Sequence, residues 1–200
     1  MDVVRVTRSL DAAQTEEAYR TGMFPMAYPE RGLVTWHLPP RRAVLPLEEF
    51  HVSRSLAHRL KQGCFEVSFN RDFTGVMRAC NENRSGSWIT EEFIRVYGEL
   101  HARGKAHSVE IWVDGELAGG TYGVHLGAAF FAESKFHRVR DMSKVALAQL
   151  VFRLRERGFA LLDVQYLTGH LTQFGVTEIP AKEYRRRLDA ALGRTATFMP

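Results

Sequence analysis

The pattern of apolar and polar positions predicts a chain of short strands and helices in alternation. Residues 65–69 alternate apolar and polar side chains, as a half-buried strand does. Residues 93–100 repeat apolar side chains at the spacing of one helical face, and Thr90 can cap that helix. The same reasoning predicts strands over 33–36, 108–113, 116–126, 128–133 and 159–166, and helices over 15–21, 143–157 and 181–192, besides shorter ones after Ser53 and Asp72.

Two proline-containing positions interrupt this pattern. Pro39-Pro40 cannot donate backbone hydrogen bonds and disfavours both helix and sheet, so it predicts a domain boundary. The chain is therefore expected to hold a small N-terminal α/β subdomain, residues 1–39, followed by the main domain, residues 40–200. Phe24-Pro25 is expected to break the chain within the smaller part.

The predicted order in the main part is strand, two helices, a three-strand meander, helix, strand and helix. It predicts an α+β fold with a mixed, mainly antiparallel central sheet, and it resembles the order of GNAT acyltransferases. Those enzymes hold the pyrophosphate of coenzyme A on a glycine-rich loop, whereas the corresponding predicted loop here, residues 134–142, is basic and contains no glycine. A different acyl carrier with a phosphate backbone is therefore expected, and a coenzyme A-dependent acetyltransferase stays open as the alternative.

Composition narrows the class of protein. Hydrophobic residues make up 45% and charged residues 25% of the 200, which is typical of a soluble globular protein and excludes a disordered chain or a collagen-like fibre. No apolar run approaches the ~20 residues of a membrane helix. Cys64 and Cys80 fit neither a disulfide framework nor a metal site, and the eight histidines form no ligand-like cluster. A reducing cytoplasm, no membrane association and no bound metal are expected.

The distribution and type of the basic residues indicate a nucleic-acid partner. The net charge of +4 lies entirely in residues 101–200, and only 5 of the 27 basic residues are lysine. Arginine's planar guanidinium suits phosphates and stacked bases. The basic residues cluster within residues 135–157 and 182–187. Solvated helix faces and a non-catalytic RNA-binding surface remain alternative interpretations of these two clusters.

Several separate motifs carry a family resemblance. Residues 18–25 read A-Y-R-T-G-M-F-P, residues 86–90 read G-S-W-I-T, residues 131–136 read F-A-E-S-K-F, and residues 163–165 read D-V-Q. Together with the segments 36–45, 106–112, 117–124 and 178–180, they follow one another in order from about residue 10 to residue 192. The chain thus resembles the leucyl/phenylalanyl-tRNA–protein transferase family.

The resemblance implies a reaction and its partners. Leucine or phenylalanine, with methionine as a further candidate, moves from its tRNA to the α-amine of a protein that begins with Arg or Lys, and so marks that protein for N-end-rule degradation. The fold implied is a small N-terminal domain before a GNAT-like domain. No cofactor is expected, because the aminoacyl ester itself drives aminolysis. A cytoplasmic monomer is expected.

The resemblance also implies catalytic residues. Asp163 and Gln165 lie two apart on a predicted strand and are expected to share a face, with Asp163 polarising Gln165 and the Gln165 carbonyl accepting from the attacking amine. Glu133 is expected at the aminoacyl-adenosine site, where its carboxylate can accept from the amino group or the ribose. Since an amide is a weak base, the ribose hydroxyl of the tRNA stays open as the proton acceptor.

Binding residues follow by the same resemblance. Departures from the family pattern at Thr121 and Leu154 leave the preference between leucine and phenylalanine open. Met26 stands where the family often has a tryptophan, which weakens the expected stacking on the N-terminal side, and Ala132 replaces a common glycine, so a tighter approach of the ligand beside Glu133 is expected. The apolar pocket for the aminoacyl side chain is expected from Phe130, Thr121, Leu147, Leu154 and Leu162, and contacts to the terminal adenosine from Trp88, Tyr19 and Met26. The contacts to the tRNA backbone are expected from Arg138, Arg140, Arg185, Arg186 and Arg187.

Overall fold

The computed structural model describes residues 2–82 and 88–200, so Gly86 and Ser87 of the G-S-W-I-T motif lie outside the described residues. The strands are β1 (Val3–Thr7), β2 (Phe24–Tyr28), β3 (Leu33–His37), β4 (Arg41–Val44), β5 (Glu66–Phe69), β6 (Ala106–Val113), β7 (Glu116–Leu126), β8 (Ala129–His137), β9 (Leu161–Gln165) and β10 (Thr177–Pro180). The helices are α1 (Ala12–Thr21), α2 (Arg54–Gln62), α3 (Phe73–Asn81), α4 (Glu91–Ala102), α5 (Met142–Glu156), α6 (Gly169–Thr172) and α7 (Ala181–Leu192).

The N-terminal segment forms a three-stranded antiparallel sheet in the order β1-β3-β2. The expectation that Phe24-Pro25 breaks the chain is wrong, because both residues lie in β2. β2 is an edge strand, where a proline can leave its missing N–H on the unpaired side. Pro39-Pro40 lies between this sheet and β4. A single apolar cluster nevertheless contains Trp36 and Phe131, so the two sheets share a core and the domain boundary stays a prediction.

The larger sheet has the order β10-β4-β9-β8-β7-β6-β5 and is antiparallel except for the β8–β9 pair. The predicted meander is present as β6, β7 and β8, with a hairpin turn at Asp114-Gly115 that has positive φ at both residues. Helix α5 then crosses over to β9. The predicted α+β class, with a mixed and mainly antiparallel sheet in the GNAT order, is confirmed.

Strand β8 continues to His137, so the segment 134–142 is not the loop that the sequence predicted. Its first four residues are strand, and they pair with β7 alone. The parallel register of β8 with β9 runs from Ala129 to Phe131 opposite Leu161 to Asp163. Because both strands continue beyond the last pair, they diverge and open a gap in the middle of the sheet.

Helix α5 lies close against the sheet at Gly119. A Cβ at this position would lie 2.5 Å from the Cβ of Met142 at the start of α5, a separation that side chains do not tolerate. Gly119 therefore permits close helix–sheet packing rather than ligand binding. None of the helices in the described parts of the chain is long and apolar enough to cross a membrane.

Candidate active site at the opening between two strands

The gap between β8 and β9 is the centre of the candidate site. A cavity of about 390 Å³ lies there, and both Glu133 of β8 and Gln165 of β9 line it. Its remaining lining combines apolar, hydroxyl and basic side chains. These residues are Thr121, Ala132, Ser134, Lys135, His137, Ser143, Leu147, Val164, His170 and Leu171.

Glu133 is directed into the gap by a β-bulge. Tyr122 pairs with Ser134 and Gly123 pairs with Ala132, so Glu133 is the additional residue that has no partner on β7. Bulges of this kind reorient a side chain and are common next to active sites. The irregularity explains how a strand residue reaches the cavity from within a hydrogen-bonded ladder.

Glu133 accepts hydrogen bonds from three elements. Tyr19 Oη of α1 and Gln165 Nε2 of β9 lie 2.6 and 2.7 Å from its Oε1, and Tyr97 Oη of α4 lies 3.4 Å from its Oε2. The two tyrosine hydroxyls are themselves 2.6 Å apart. This network joins the N-terminal helix to the central sheet at the site.

The surroundings of Glu133 place its ionisation near neutrality. Burial raises its pKa to about 7, and the nearby Asp163 carboxylate acts in the same direction. The hydrogen bonds from Tyr19 and Gln165 and the charge of Arg42 only partly oppose this shift. A carboxyl group with such a pKa can accept a proton near neutral pH and release it again.

Asp163 forms a buried ion pair next to the cavity. Arg42 Nε and Nη2 lie 2.8–3.0 Å from its two oxygens, and Tyr184 Oη donates to its Oδ2 at 2.6 Å. Both charged side chains are almost completely buried, and the guanidinium lies between the rings of Phe24 and Tyr184. Burial alone would lower the pKa of Arg42, but the Asp163 carboxylate raises it above its usual value.

Gln165 is placed by an unusual backbone conformation. Its φ of 60° lies in the left-handed region that non-glycine residues rarely adopt, and Val164 is the additional residue of a bulge between Asp163 and Gln165. Leu162 and Val164 pack into one apolar cluster, as the predicted alternation of this strand requires. Gln165 lines the cavity, and Asp163 binds Arg42 beside it. Asp163 Oδ1 accepts from the backbone N–H of Gln165 at 2.8 Å, and it is Glu133 that holds the side-chain amide.

The residues predicted for the apolar pocket fall into two groups. Thr121 and Leu147 line the cavity. Phe130, Leu154 and Leu162 are buried in the apolar cluster behind it, which also contains Leu147. The structure therefore brings all five to one region, with three of them in a layer beneath the surface of the cavity.

The residues predicted for the terminal adenosine lie on the other side of Glu133. Tyr19 is fully buried and bonded to Glu133. Trp88 is half-buried outside the cavity lining and contacts Phe93, which stacks on Tyr97. Met26 packs against the same apolar cluster as Trp88. Trp88 is thus linked to Glu133 through two aromatic rings.

The arginines predicted to contact tRNA are mostly paired within the protein. Arg138 bonds to Glu82, and Arg185 to Asp189. Arg140 is 93% exposed and lies 3.8 Å from Asp141. Both remaining members, Arg186 and Arg187, bond to Glu183.

Sequence reasoning missed several residues of this site. Arg42 stands in the matched segment 36–45, but its burial, and hence its need for a carboxylate partner, is visible only in the structure. Tyr97 had been placed only on the buried face of a helix. Lys135, His137 and His170 line the cavity without having been singled out individually as site residues. Within residues 2–82 and 88–200, no three His, Cys, Asp or Glu side chains are arranged to hold a metal ion.

The meander, the crossover helix and the two diverging strands around a buried carboxyl group form the GNAT-like α+β arrangement that the sequence predicts. A family model described as leucyl/phenylalanyl-tRNA protein transferase matches residues 44–189. The chain belongs to this family, and it is therefore a transferase of the aminoacyl-tRNA–protein class.

Curated relatives agree with this assignment over nearly the whole chain. A leucyl/phenylalanyl-tRNA–protein transferase of Salinibacter ruber is 50% identical over 92% of this chain and 80% of its own length. Those of Ruegeria pomeroyi and Herpetosiphon aurantiacus are 52% and 48% identical, over 90% and 96% of this chain and 86% and 100% of their own lengths.

Similarity to solved structures is more distant. A ribosomal-protein-alanine N-acetyltransferase from Brucella melitensis matches 55% of this chain and 85% of its own, with a TM-score of 0.41 and 16% identity. L-PGS from Bacillus licheniformis matches 75% of this chain and 56% of its own, with a TM-score of 0.46 and 10% identity.

Proposed function

We propose that this chain transfers leucine or phenylalanine, with methionine as a further candidate, from aminoacyl-tRNA to the α-amine of proteins that begin with Arg or Lys. Such a transfer would mark the acceptor for N-end-rule degradation. The observation that carries the proposal is the cavity between β8 and β9, where a carboxyl group of pKa about 7 and an amide meet apolar side chains. Family membership supports the choice of acyl donor.

The proposed reaction is aminolysis of an ester. The acceptor nitrogen forms a bond to the carbonyl carbon of the aminoacyl group, the bond from that carbon to the ribose oxygen breaks, and the nitrogen loses a proton. The ribose oxygen gains a proton when it leaves. Because an ester is converted to an amide, the step needs neither ATP nor coenzyme A, and we propose that no cofactor takes part.

Each catalytic residue has a role that its contacts support. Since Gln165 Nε2 donates to Glu133, the amide oxygen is the atom left to accept a hydrogen bond from the attacking amine. Glu133 then takes the proton, because its pKa of about 7 suits exchange with an amine near neutrality. Asp163 is a positioning residue that fixes the backbone of Gln165 and neutralises Arg42. The ribose hydroxyl of the tRNA is the competing proton acceptor.

The binding roles complete the proposal. The apolar layer of Phe130, Leu147, Leu154 and Leu162 with Thr121 would receive the aminoacyl side chain, since leucine and phenylalanine share bulk and hydrophobicity. Trp88 and Met26 would contact the terminal adenosine, with stacking on Trp88 contributing about 1–3 kcal/mol. Tyr19 is fully buried and would act there by holding Glu133. We propose that the protein acts as a cytoplasmic monomer.

A direct transfer assay tests the proposal. Purified protein is incubated with radiolabelled Leu-tRNA or Phe-tRNA and a peptide that begins with Arg, without ATP or coenzyme A. We expect a labelled peptide extended by one residue. The matched control is the same peptide with an acetylated N-terminus, which should receive no label.

The alternatives give distinct results in the same material. Absence of transfer from both tRNAs by a folded sample would reject the proposal. Binding of tRNA without turnover would favour a non-catalytic RNA-binding module. Tight binding of acetyl-coenzyme A by calorimetry would favour an acetyltransferase instead.

A further inference from the structure

The chain after α7 packs into the core behind the candidate active site. Phe198, two residues before the last residue of the sequence, has 1% of its surface exposed. The family model ends at residue 189, so this segment, residues 194–200, lies outside the matched region. We call it the C-terminal tail.

Hydrogen bonds from two side chains hold the C-terminal tail in place. Arg157 donates to the carbonyl oxygens of Thr197 and Met199 and to the Thr197 hydroxyl, at 2.6–3.1 Å. His125 Nε2 lies 3.1 Å from the Ala196 carbonyl oxygen, to which it must be the donor. The tail is thus anchored on both sides of Phe198.

The ring of Phe198 lies against Phe130. The two ring centroids are 5.6 Å apart with planes 27° from parallel, and His107 stacks on Phe198 at 4.4 Å. Phe130 has little freedom on its other side, because a Cβ on Gly123 would lie 2.5 Å from its Cε1. The position of the Phe130 ring therefore depends on Phe198.

Phe130 stands at the closed end of the gap between β8 and β9. It pairs with Leu162 in the parallel register, two residues before the cavity-lining Ala132 and Val164 on the respective strands. Phe130, Leu162, Val164 and Phe198 belong to one apolar cluster. An apolar group that enters between Ala132 and Val164 therefore meets the layer whose position Phe198 supports.

We infer that Phe198 is a positioning residue that sets the depth of the aminoacyl side-chain pocket, and so the size of amino acid that is transferred. The inference rests on the proposed transfer of leucine or phenylalanine. A smaller residue at position 198 would let the Phe130 ring move back and deepen the pocket. A hydrophobic pocket discriminates by about 10- to 200-fold per methylene group, so a change of this kind has a measurable effect.

The test compares kcat/KM for Phe-tRNA and Leu-tRNA in three proteins: the wild type, Phe198→Leu and Phe50→Leu. Phe50 is a buried phenylalanine of the same apolar cluster that contacts Phe174 and Phe152. We expect the ratio of Phe-tRNA to Leu-tRNA to rise about tenfold in Phe198→Leu and to stay at the wild-type value in Phe50→Leu.

A second variant covers the case in which Phe198→Leu does not fold. Arg157→Gln keeps Phe198 but removes the hydrogen bonds that anchor the C-terminal tail, and it should shift the ratio in the same direction by a smaller factor. Equal losses with both tRNAs and an unchanged ratio would reduce Phe198 to a structural role and overturn the inference. Wild-type protein inactive with both tRNAs would instead refute the proposed function.

Discussion

At Glu133, burial and hydrogen bonding act against each other, and the pKa of about 7 means that acid and carboxylate coexist near neutrality. In Glu133→Gln the side chain can still bond to its neighbours but cannot accept a proton. We expect transfer to fall about 100-fold. The acceptor amine titrates identically in both proteins, so the ratio of wild-type to variant rate should rise through pH 7 and then level off. A ratio that does not change with pH would favour the ribose hydroxyl as proton acceptor.

The same substitution is expected to stabilise the fold at high pH. The ordinary pKa of Glu133 is 4.5 and its folded value is about 7, so between these values the folded state binds a proton that the unfolded state has released. Stability from this residue is therefore present below about pH 4.5 and is lost as the pH rises to 7. The loss amounts to about 3 kcal/mol. Urea unfolding should show Glu133→Gln to be more stable than wild type at pH 8, with the difference smaller at pH 5.

At the scale of elements, the buried pair of Arg42 and Asp163 ties β4 to β9, and Tyr184 adds α7 to the same point. Asp163→Asn would leave the Arg42 charge buried without its partner. We expect this change to cost about 3–5 kcal/mol in the free energy of unfolding, measured with urea. The double variant Arg42→Met with Asp163→Leu should be clearly more stable than Asp163→Asn. A loss below 1 kcal/mol in Asp163→Asn would show that water reaches the pair.

Element boundaries explain which parts of the fold the sequence could predict. Strand β7 and helix α7 were predicted at their observed ends, because turns and glycines limit regular apolar patterns at both. β1, β4 and β10 are short strands without a distinct pattern, and they were missed. Their hydrogen bonds go to strands distant in sequence, so local pattern carries little information about them.

At the scale of the whole molecule, several arginines of the second half are paired with acidic side chains on the surface, although its net charge stays positive. Arg186 and Arg187 share Glu183, whereas Arg140 is 93% exposed. We expect Arg140→Gln to reduce the salt dependence of tRNA binding by nearly one unit of slope, and Glu183→Gln to strengthen binding at low salt. Binding would be measured by fluorescence anisotropy over a range of salt concentrations. Unchanged slopes in both variants would place the tRNA on another surface.

The site shows the same division between local and distant information. The D-V-Q segment and Glu133 were found from motifs. The motifs did not show that Glu133 binds the side-chain amide of Gln165 or that Arg42 binds Asp163. Bulges at Glu133 and Val164 and the left-handed φ of Gln165 set which partners these side chains reach. Such irregularities depend on neighbouring strands, and the residue types alone do not reveal them.

By itself, the sequence determined the fold class, the order of the meander, the crossover helix and the last strand, and the family. These follow from apolar periodicity, capping residues and motif order, which are local along the chain. Tertiary structure decided that Arg42 and the backbone N–H of Gln165, rather than the Gln165 side chain, bind the Asp163 carboxylate. It also decided that Glu133 titrates near neutrality and that Phe198 supports Phe130. Burial and contact arise only when distant segments pack together. Water is then excluded, and side chains from different elements come into contact.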